Sequence, residues 1–456
     1  MQSLVTPTHA HALAATLKNR RDRLSQRIDF PVVLWSGQPH PRNFPANVYP
    51  FRANSHFLYF AGLPLVNAAI HLAKGKLTLF IDEATPAEAL WHGPTPSRQD
   101  LAETMGADNA LPLGDLSRYL GEAVTLAGQN SIRGVASANQ AEPDHQRTLA
   151  EAMIQLRLSH DTSAIAAIRQ AATVSVAAHK AGLAATANAL TEAQVRAAME
   201  QVILAANMTC AYNSIVTVCG EVLHNEHYHH TLHPGDLLLA DVGAEAPSGW
   251  ASDITRTWPI TGQFSATQRA IYDVVLAAHD ACIAHANPGV EYRGLHLLAC
   301  RVLTEGLVDI GILKGSPDSL VEQDAHALFF PHGVGHLLGL DVHDMEDLGD
   351  LAGYAPGRTR SDRFGLAYLR LDRPLQMGMV VTIEPGFYQV PGILQNAQTQ
   401  ATYQSMVNWE RLTQFDDVRG IRIEDDVLIT ASSCEVITAD LPTQASEIET
   451  LVIHSA

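Results

Sequence analysis

Single acidic residues interrupt several apolar runs in this chain, and any fold must supply partners for them. Leu237–Ala240 predicts a buried strand that ends in Asp241, and the returning run 250–260 contains Asp253. If the turn 246–249 centres a hairpin, positions summing to about 494 face each other, so we expect Asp241 opposite Asp253. Two opposed carboxylates in an apolar sheet share a proton or hold a cation. The alternative, acids at solvent-facing strand ends, fits the aliphatic flanks less well.

A second pair of acids has the same character. Val380–Ile383 is an apolar run that ends in Glu384. In 420–427 apolar and charged residues alternate, so Arg422 and Glu424 share a face. We expect Arg422 to orient or neutralise a carboxylate ligand from behind, and we count it among the substrate-binding residues. Because four buried acids without counter-charge are very costly, the pattern predicts two divalent cations, which balance the four negative charges.

Three histidines, His332, His336 and His343, lie in the Gly-rich apolar segment 331–344. Each imidazole can bind a metal as a neutral ligand or move a proton near neutral pH. A single histidine in such a frame is more simply a satisfied core residue, but three together favour a functional site. Oxygen ligands with one imidazole favour Mn²⁺, Co²⁺ or Zn²⁺ over a thiolate-bound metal.

Composition restricts the class of protein. With 456 residues, 46% hydrophobic and 17% charged, the chain predicts a soluble globular protein of two or three domains. The net charge of -18 argues against nucleic acid or an anionic membrane surface as a partner. Five scattered cysteines predict free thiols in a reducing compartment. Since we find neither a secretory signal nor a membrane span, we expect a cytoplasmic protein.

The chain divides at the polar break 159–163. Residues 1–158 predict a smaller α/β domain, and 159–456 predict a larger α+β domain in which helices alternate with antiparallel hairpins. Thr191 with Gln194 and Ser265 with Gln268 predict helix capping boxes. Strands are predicted at 32–35, 56–62, 211–218, 237–245, 250–260, 378–384 and 420–429, a hairpin at 68–81 turning at 74–76, and helices at 97–105, 146–158, 163–183, 191–207 and 270–286.

The acids and one histidine, in chain order, resemble the five metal ligands of the pita-bread metallopeptidases: Asp241, Asp253, His336, Glu384 and Glu424. The surrounding strings are similar to the aminopeptidase P and prolidase branch, whose members cleave the bond preceding proline. They are AYNSIV at 211–216, SDITRTWP at 252–259, HGVGHLLGLDVHD at 332–344, TIEPGFY at 382–388 and GIRIEDD at 420–426. In the N-terminal half the likeness rests mainly on YPFRANSHFLYFAGL at 49–63. The resemblance implies a pita-bread catalytic domain preceded by a creatinase/aminopeptidase P-type N-terminal domain.

The resemblance also implies a division of labour among the ligands. His336 and Glu384 would bind one metal, Asp241 the other, and Asp253 and Glu424 would bridge them. A hydroxide bridging two divalent ions, with Mn²⁺ favoured over Co²⁺ or Zn²⁺, would attack the scissile carbonyl, and Glu384 would accept the proton.

Further residues resemble substrate-facing groups of the family. His224 and His343 resemble the imidazoles that stabilise the developing gem-diolate, and His332 resembles one that lines the proline subsite. Arg370 resembles, in its distance before Glu384, the prolidase arginine that grips the carboxylate of a dipeptide; a surface arginine is the alternative.

The chain departs from the family pattern around its first acids. The spacing from Asp241 to Asp253 is one residue longer than expected, which predicts an extra residue or bulge in the turn. Asn225 follows His224 where the family often has tyrosine. His227, His229, His230 and His233 form an unusual cluster, for which a solvated loop is a simpler interpretation than a third metal site.

The sequence therefore predicts a dinuclear Xaa-Pro aminopeptidase with Xaa-Pro dipeptidase activity, acting on proline-containing peptides as a homo-oligomer, dimer or tetramer. Arg370 favours dipeptide substrates, whereas the string YPFRANS at 49–55 resembles aminopeptidase P, which takes longer peptides. The alternatives are a strict prolidase, a metal-free binding module on the pita-bread scaffold and a creatinase-like hydrolase.

Overall fold

The computed structural model describes residues 7–126 and 143–453. These residues form two compact units. The first holds the described residues up to Leu158 together with Pro247–Gly249, and the second holds Ser159–Ala246 and the described residues from Trp250 onward. Both units combine helices with β-sheets, as predicted for an α+β protein. Among the described residues, no helix is both long and apolar enough to cross a membrane.

The first unit is built on one four-stranded sheet. Its strands follow chain order and pair antiparallel, except for the parallel last pair. The strands are β1 (Val32–Trp35), β2 (Ala69–Ala73), β3 (Lys76–Phe80) and β4 (Asn109–Leu111), and the helices are α1 (Pro7–Ser25), α2 (Ser55–Ala61), α3 (Pro86–His92), α4 (Arg98–Met105) and α5 (Pro143–Arg157). The predicted hairpin is confirmed, because Lys74 and Gly75, both with positive φ, join β2 to β3.

The strand predicted at 56–62 is wrong, because this segment forms helix α2. The side chain of Asn54 caps the helix by accepting the N–H groups of His56 and Phe57, and Gly62 ends it at φ 66°. Every residue of Ser55–Ala61 is buried. A helix buried on all sides has no polar face, and without that face its aromatic run is indistinguishable from a strand.

In the second unit the predicted long helices are all present. Ser265 and Gln268 form the predicted capping box, but Thr191 makes no capping bond, because Gln194 accepts the N–H of Leu190 instead. The helices are α6 (Thr162–Thr186), α7 (Glu192–Ala205), α8 (Ala266–His285), α9 (Tyr292–Asp309), α10 (Pro317–Glu322), α11 (Asp350–Gly353), α12 (Pro391–Leu394), α13 (Ala397–Thr402), α14 (Trp409–Leu412) and α15 (Ala445–Ile453).

The strands of the second unit form small antiparallel sheets. Their orders are β6-β7-β9, β10-β13-β14, β11-β12 and β5-β8. The strands are β5 (Thr209–Cys210), β6 (Ile215–Thr217), β7 (Leu237–Asp241), β8 (Ala244–Glu245), β9 (Thr255–Pro259), β10 (Val380–Ile383), β11 (Gly386–Tyr388), β12 (Gly420–Arg422), β13 (Asp425–Ile429) and β14 (Cys434–Val436).

Two predicted acids lie where a chain changes its strand partner. The run predicted as one strand at 420–429 is divided at Ile423 and Glu424 into β12 and β13, which pair with β11 and β10 respectively. Glu384 lies in the matching gap between β10 and β11. These breaks free both acids from the ladder, so their side chains can turn toward a common centre.

The register predicted for the first acid pair is wrong by two positions. Asp241 pairs with Thr255 across β7 and β9, not with Asp253. The N–H of Ala246 bonds to the carbonyl of Trp250, which closes the hairpin around the three residues 247–249 instead of the predicted four and moves the pairing. Because positions two apart share a face of a strand, Asp253 still lies diagonally across from Asp241.

Candidate metal centre and catalytic site

Tyr212 brings the first two acids together. Its hydroxyl lies 2.6 Å from Oδ1 of Asp241 and within hydrogen-bond distance of Oδ1 of Asp253. Since one hydroxyl donates a single proton, it cannot satisfy both carboxylates when both are ionised. The pair therefore needs further positive charge beside it.

The other three predicted ligands meet the same centre. Nε2 of His336 lies 3.5 Å from Oδ2 of Asp253 and 3.5 Å from Oε1 of Glu384. Ligand atoms of Asp253, His336 and Glu424 all lie within 4.8 Å of one another. Thr255 donates its hydroxyl to Oε2 of Glu424 at 2.6 Å and so fixes that carboxylate.

His336 is held with one nitrogen facing the acids. Its Nδ1 donates to the carbonyl of Leu337 at 3.0 Å, which leaves the lone pair on Nε2 for a metal. The backbone is fixed by Thr382, whose N–H bonds to the carbonyl of His336. Gly335 permits this approach, since at its φ of 152° a Cβ would lie 2.2 Å from the carbonyl oxygen of Thr382.

The charge balance of the centre fits divalent cations. Burial, followed by the charge of Asp253, raises the pKa of Asp241 to about 7 and that of Glu424 well above its usual value. Burial also raises the pKa of Glu384 to about 7. Burial acts to raise the pKa of Asp253 as well, but its contact with His336 holds it below the usual value. Four oxygen donors and one imidazole are a ligand set that divalent ions such as Mn²⁺, Co²⁺ or Zn²⁺ accept.

Arg422 connects the acids to the histidine at position 332. Its Nη2 donates to Oδ2 of Asp241 at 2.6 Å, and its Nη1 donates to the hydroxyl of Tyr388 at 3.0 Å. That hydroxyl lies 2.9 Å from Nε2 of His332, whose Nδ1 donates to the carbonyl of Gly333. Burial, followed by the charge of Arg422, lowers the pKa of His332 to about 3, so the ring is neutral.

The five predicted metal ligands, His332 and Arg422 line one cavity of about 590 Å³, and so do the remaining predicted site residues, His224, His343 and Arg370. The rings of His336 and His343 lie 4.4 Å apart, edge to face. Arg370 is paired with Glu346, its Nη1 lying 2.6 Å from Oε1. His224 is exposed; partial burial and then the charge of Arg422 lower its pKa. The structure thus brings together every residue for which the sequence predicts a role.

The histidine-rich loop lies mostly in solvent. His227, His229 and His233 are exposed, and the Nδ1 of His230 lies 2.8 Å from Oε2 of the buried Glu192. This arrangement fits the interpretation as a solvated loop.

Sequence reasoning missed four contributors: Tyr212, Thr255, Glu346 and Tyr388. Tyr212 and Tyr388 fall inside the strings AYNSIV and TIEPGFY, and their position in these strings was the available signal. Thr255 was hidden by the wrong hairpin register. Glu346 contacts Arg370 only through the folding of a long loop, which no local pattern predicts.

Comparisons with known proteins agree with this geometry. Residues 166–431 match the model of metallopeptidase family M24, and residues 17–132 match the aminopeptidase P N-terminal domain. A human protein named Xaa-Pro dipeptidase is 32% identical over 92% of this chain and 87% of its own length. A Verticillium alfalfae protein named "Probable Xaa-Pro aminopeptidase" is 32% identical over 88% of each chain.

Solved structures match almost the whole chain. Pseudomonas aeruginosa aminopeptidase PepP has a TM-score of 0.77 at 29% identity and covers 97% of this chain and 98% of its own. Zinc-substituted Escherichia coli aminopeptidase P, in complex with product, has a TM-score of 0.77 at 27% identity and covers 97% and 99%. The predicted architecture, a smaller α/β domain followed by a pita-bread catalytic domain, is therefore confirmed.

The family match covers more than half of the chain, and the relatives span nearly all of it. The predicted aminopeptidase P and prolidase branch is confirmed by the same matches. In this chain the four predicted acids and His336 converge on one centre, as a site for divalent metal ions requires. The chain belongs to metallopeptidase family M24.

Proposed function

We propose that this enzyme is an Xaa-Pro metalloexopeptidase, an Xaa-Pro aminopeptidase that also cleaves Xaa-Pro dipeptides. The observation that carries the proposal is the convergence of four carboxylates and one imidazole in a cavity whose wall also holds a neutral histidine and an arginine. Relatives of nearly the same length bear the names of both activities, which supports the substrate class.

In this proposal the metal ligands are Asp241, Asp253, His336, Glu384 and Glu424. When bound, the two ions would polarise the scissile carbonyl and lower the pKa of an attacking water. The carboxylate of Glu384 keeps a partly exposed edge toward the cavity, where it can accept the proton of that water. Tyr212, Thr255 and Arg422 hold three of the acids in place by hydrogen bonds.

Imidazoles of the cavity wall would then face the reacting atoms. His343 lies beside His336, and His224 lines the same cavity, so both can donate to an oxygen on which negative charge grows. His332 presents a neutral ring that packs edge to face on Phe330 at 4.8 Å. This flat apolar surface suits the ring of a proline residue.

Arg370 is proposed to bind the free carboxylate of a dipeptide. It is held by two short contacts to Glu346, 2.6 Å and 2.7 Å, and it lies within hydrogen-bond distance of His343. A substrate carboxylate would compete with Glu346 for the same guanidinium. This competition restrains dipeptide binding without closing the site to longer peptides.

The deciding experiment compares Ala-Pro with Ala-Pro-Ala in the presence of Mn²⁺. We expect both to be cleaved, and Arg370→Ala to raise the KM for Ala-Pro by about 10–100-fold, the cost of losing a charge-assisted hydrogen bond. The KM for Ala-Pro-Ala should change much less. Arg360→Ala is the matched control, because Arg360 lines the same cavity but pairs with Asp350.

Cleavage of the dipeptide alone would identify a strict prolidase. An unchanged KM for Ala-Pro in Arg370→Ala would refute the proposed carboxylate grip.

We propose Mn²⁺ as the metal, because hard oxygen ligands outnumber the single imidazole. Metal-depleted enzyme should recover most activity with Mn²⁺ and less with Co²⁺ or Zn²⁺. Greater recovery with zinc would contradict this choice.

A homo-oligomer, dimer or tetramer, in the cytoplasm completes the proposal. The family resemblance supports association, and five free thiols support a reducing compartment. Light scattering on the purified enzyme tests the first point, since a monomer at micromolar concentration would contradict it. Cell fractionation tests the second.

A further inference from the structure

A second group of metal-binding side chains lies outside the site described above. His296, Cys300 and His326 are all buried, at 0%, 0% and 2% exposure, and one ligand atom from each lies within 4.8 Å of the others. His296 and Cys300 are four residues apart on α9 and therefore share a face. His326 comes from the short 3-10 helix Ala325–Leu328.

His326 is the residue that demands an explanation. Neither of its ring nitrogens has a hydrogen-bond partner in normal geometry, although the side chain is buried. A buried polar group without a partner is costly, so such groups in proteins usually bind water or an ion. Burial lowers the pKa of His326 to about 3, which leaves the ring neutral and its lone pair available.

A carboxylate oxygen without a partner faces the same space. Oδ1 of Asp324 is buried and makes no hydrogen bond, while Oδ2 pairs with Arg363 at 2.8 Å. A Cβ on Gly365 would lie 2.5 Å from Nε2 of His326 and 2.7 Å from Oδ1 of Asp324. Glycine thus keeps the space between these two atoms open.

One ring nitrogen of His296 is fixed by a backbone carbonyl. Its Nε2 donates to the carbonyl of Gly365 at 2.8 Å, the contact that fixes many metal-bound histidines. The sulfur of Cys300 lies 3.5 Å from this Nε2 and 4.0 Å from Nδ1, and Nδ1 keeps its lone pair for a metal. With zinc–ligand distances of about 2.0–2.3 Å, tetrahedral ligands lie roughly 3.3–3.8 Å apart, so the group needs to contract by only about 1 Å.

We propose that His296, Cys300 and His326 form a structural zinc site, and that the carboxylate of Asp324, which lies near His326 beside Gly365, moves inward to become the fourth ligand. Two neutral imidazoles, a thiolate and a carboxylate balance the charge of Zn²⁺. The thiolate and imidazoles select zinc over the hard ions that suit the oxygen-rich centre. On binding, the thiol proton of Cys300 leaves to solvent, and no redox change is involved.

The position of this site gives it a role. The ring of Phe330 lies 5.7 Å from that of His296 and 4.8 Å from that of His332, so one aromatic ring separates the zinc site from the substrate cavity. Gly365 and Arg363 belong to the long loop that leads to Arg370. Zinc would therefore tie this loop and the segment before His332 to α9.

The cluster of Glu192, Cys219 and His230 provides a contrast. Its ligand atoms also lie close together, but Glu192 already accepts bonds from Thr217, Val218 and His230. These three hydrogen bonds compensate for the burial of the Glu192 carboxylate, so no metal ion is needed there. Cys219 is therefore a matched control for Cys300.

Cobalt substitution separates the zinc site from the catalytic centre. Co²⁺ bound to a thiolate gives a strong near-ultraviolet charge-transfer band, and none of the catalytic ligands is a cysteine. We expect Co²⁺-loaded enzyme to show this band, Cys300→Ala to lose it and Cys219→Ala to keep it. Enzyme purified with zinc and then saturated with Mn²⁺ should retain one zinc per chain by elemental analysis, and Cys300→Ala should retain none.

The absence of the band from Co²⁺-loaded enzyme would overturn the proposal, as would its loss in Cys219→Ala with retention in Cys300→Ala. His326→Leu adds a test of opposite sign. It should lower the Tm of zinc-loaded enzyme if zinc binds there, but raise it if His326 is merely a buried group without a partner. These spectra and metal contents are independent of peptidase activity.

Discussion

Removing one hydroxyl tests how the first two acids are held. Tyr212→Phe keeps the ring but deletes the oxygen that lies 2.6 Å from Asp241 and also contacts Asp253. A hydrogen bond to a charged group contributes about 1.5–3 kcal/mol, or roughly 10–150-fold in an equilibrium constant. Because Asp241 keeps its 2.6 Å bond to Arg422, we expect the lower part of this range, about 10–50-fold weaker metal binding.

The assay is recovery of peptidase activity by metal-depleted enzyme in chelator-buffered Mn²⁺. The apparent Kd for the metal should rise, while kcat at saturating Mn²⁺ should change less. Tyr272→Phe is the control, because that hydroxyl donates to the carbonyl of Thr443 at 2.7 Å and contacts no carboxylate of the centre. An unchanged metal Kd in Tyr212→Phe, or an equal change in Tyr272→Phe, would show that the hydroxyl does not organise the ligands.

Two further predictions concern the ligands and the support beneath them. His336→Ala or Glu384→Ala should abolish turnover through loss of bound metal, measured by elemental analysis beside activity; retained turnover would refute the ligand assignment. Arg256→Met should lower the free energy of unfolding by about 3–5 kcal/mol in urea, because the fully buried Asp425 loses its guanidinium partner at 2.9 Å and keeps only His279 and Thr438. Burial acts to raise the pKa of Asp425, but Arg256 and His279 hold it well below its unfolded value. Its stabilising contribution is therefore complete above about pH 4 and lost as the pH falls toward the folded pKa, and a thermal melt series across acid pH should show that loss.

The chemistry of the site could be predicted because burying an acid is expensive. Asp241 and Glu384 stand out against their aliphatic neighbours, and this contrast survives in a single sequence. The exact pairing could not be predicted, since the length of the turn after Glu245 sets it, and a turn of three or four residues looks alike in sequence. Thr255, which faces Asp241 and bonds to Glu424, remained hidden for that reason.

The α2 segment was mispredicted for a different physical reason. Sequence periodicity detects a helix by its polar face, and α2 has none because all its residues are buried. The capping residues Asn54 and Gly62 were the remaining signal for a helix, and they indicate one only when both ends of the segment are considered together. The pairing of Arg370 with Glu346 depends on tertiary structure and has no local signature at all.

The contact between Thr255 and Glu424 has a consequence for how the protein is made. These residues lie 169 positions apart, yet a hydrogen bond between them holds a carboxylate of the metal centre. Loop closure over such a distance comes late in folding, since its entropy cost must be offset by contacts formed earlier. A nascent chain whose last strands have not yet been synthesised lacks Glu424. It therefore presents an incomplete set of ligands for the catalytic metal ions. Occupancy of the catalytic metal centre therefore follows the synthesis and folding of the last strands, and a chain truncated before Glu424 should bind fewer ions at that centre than the full chain.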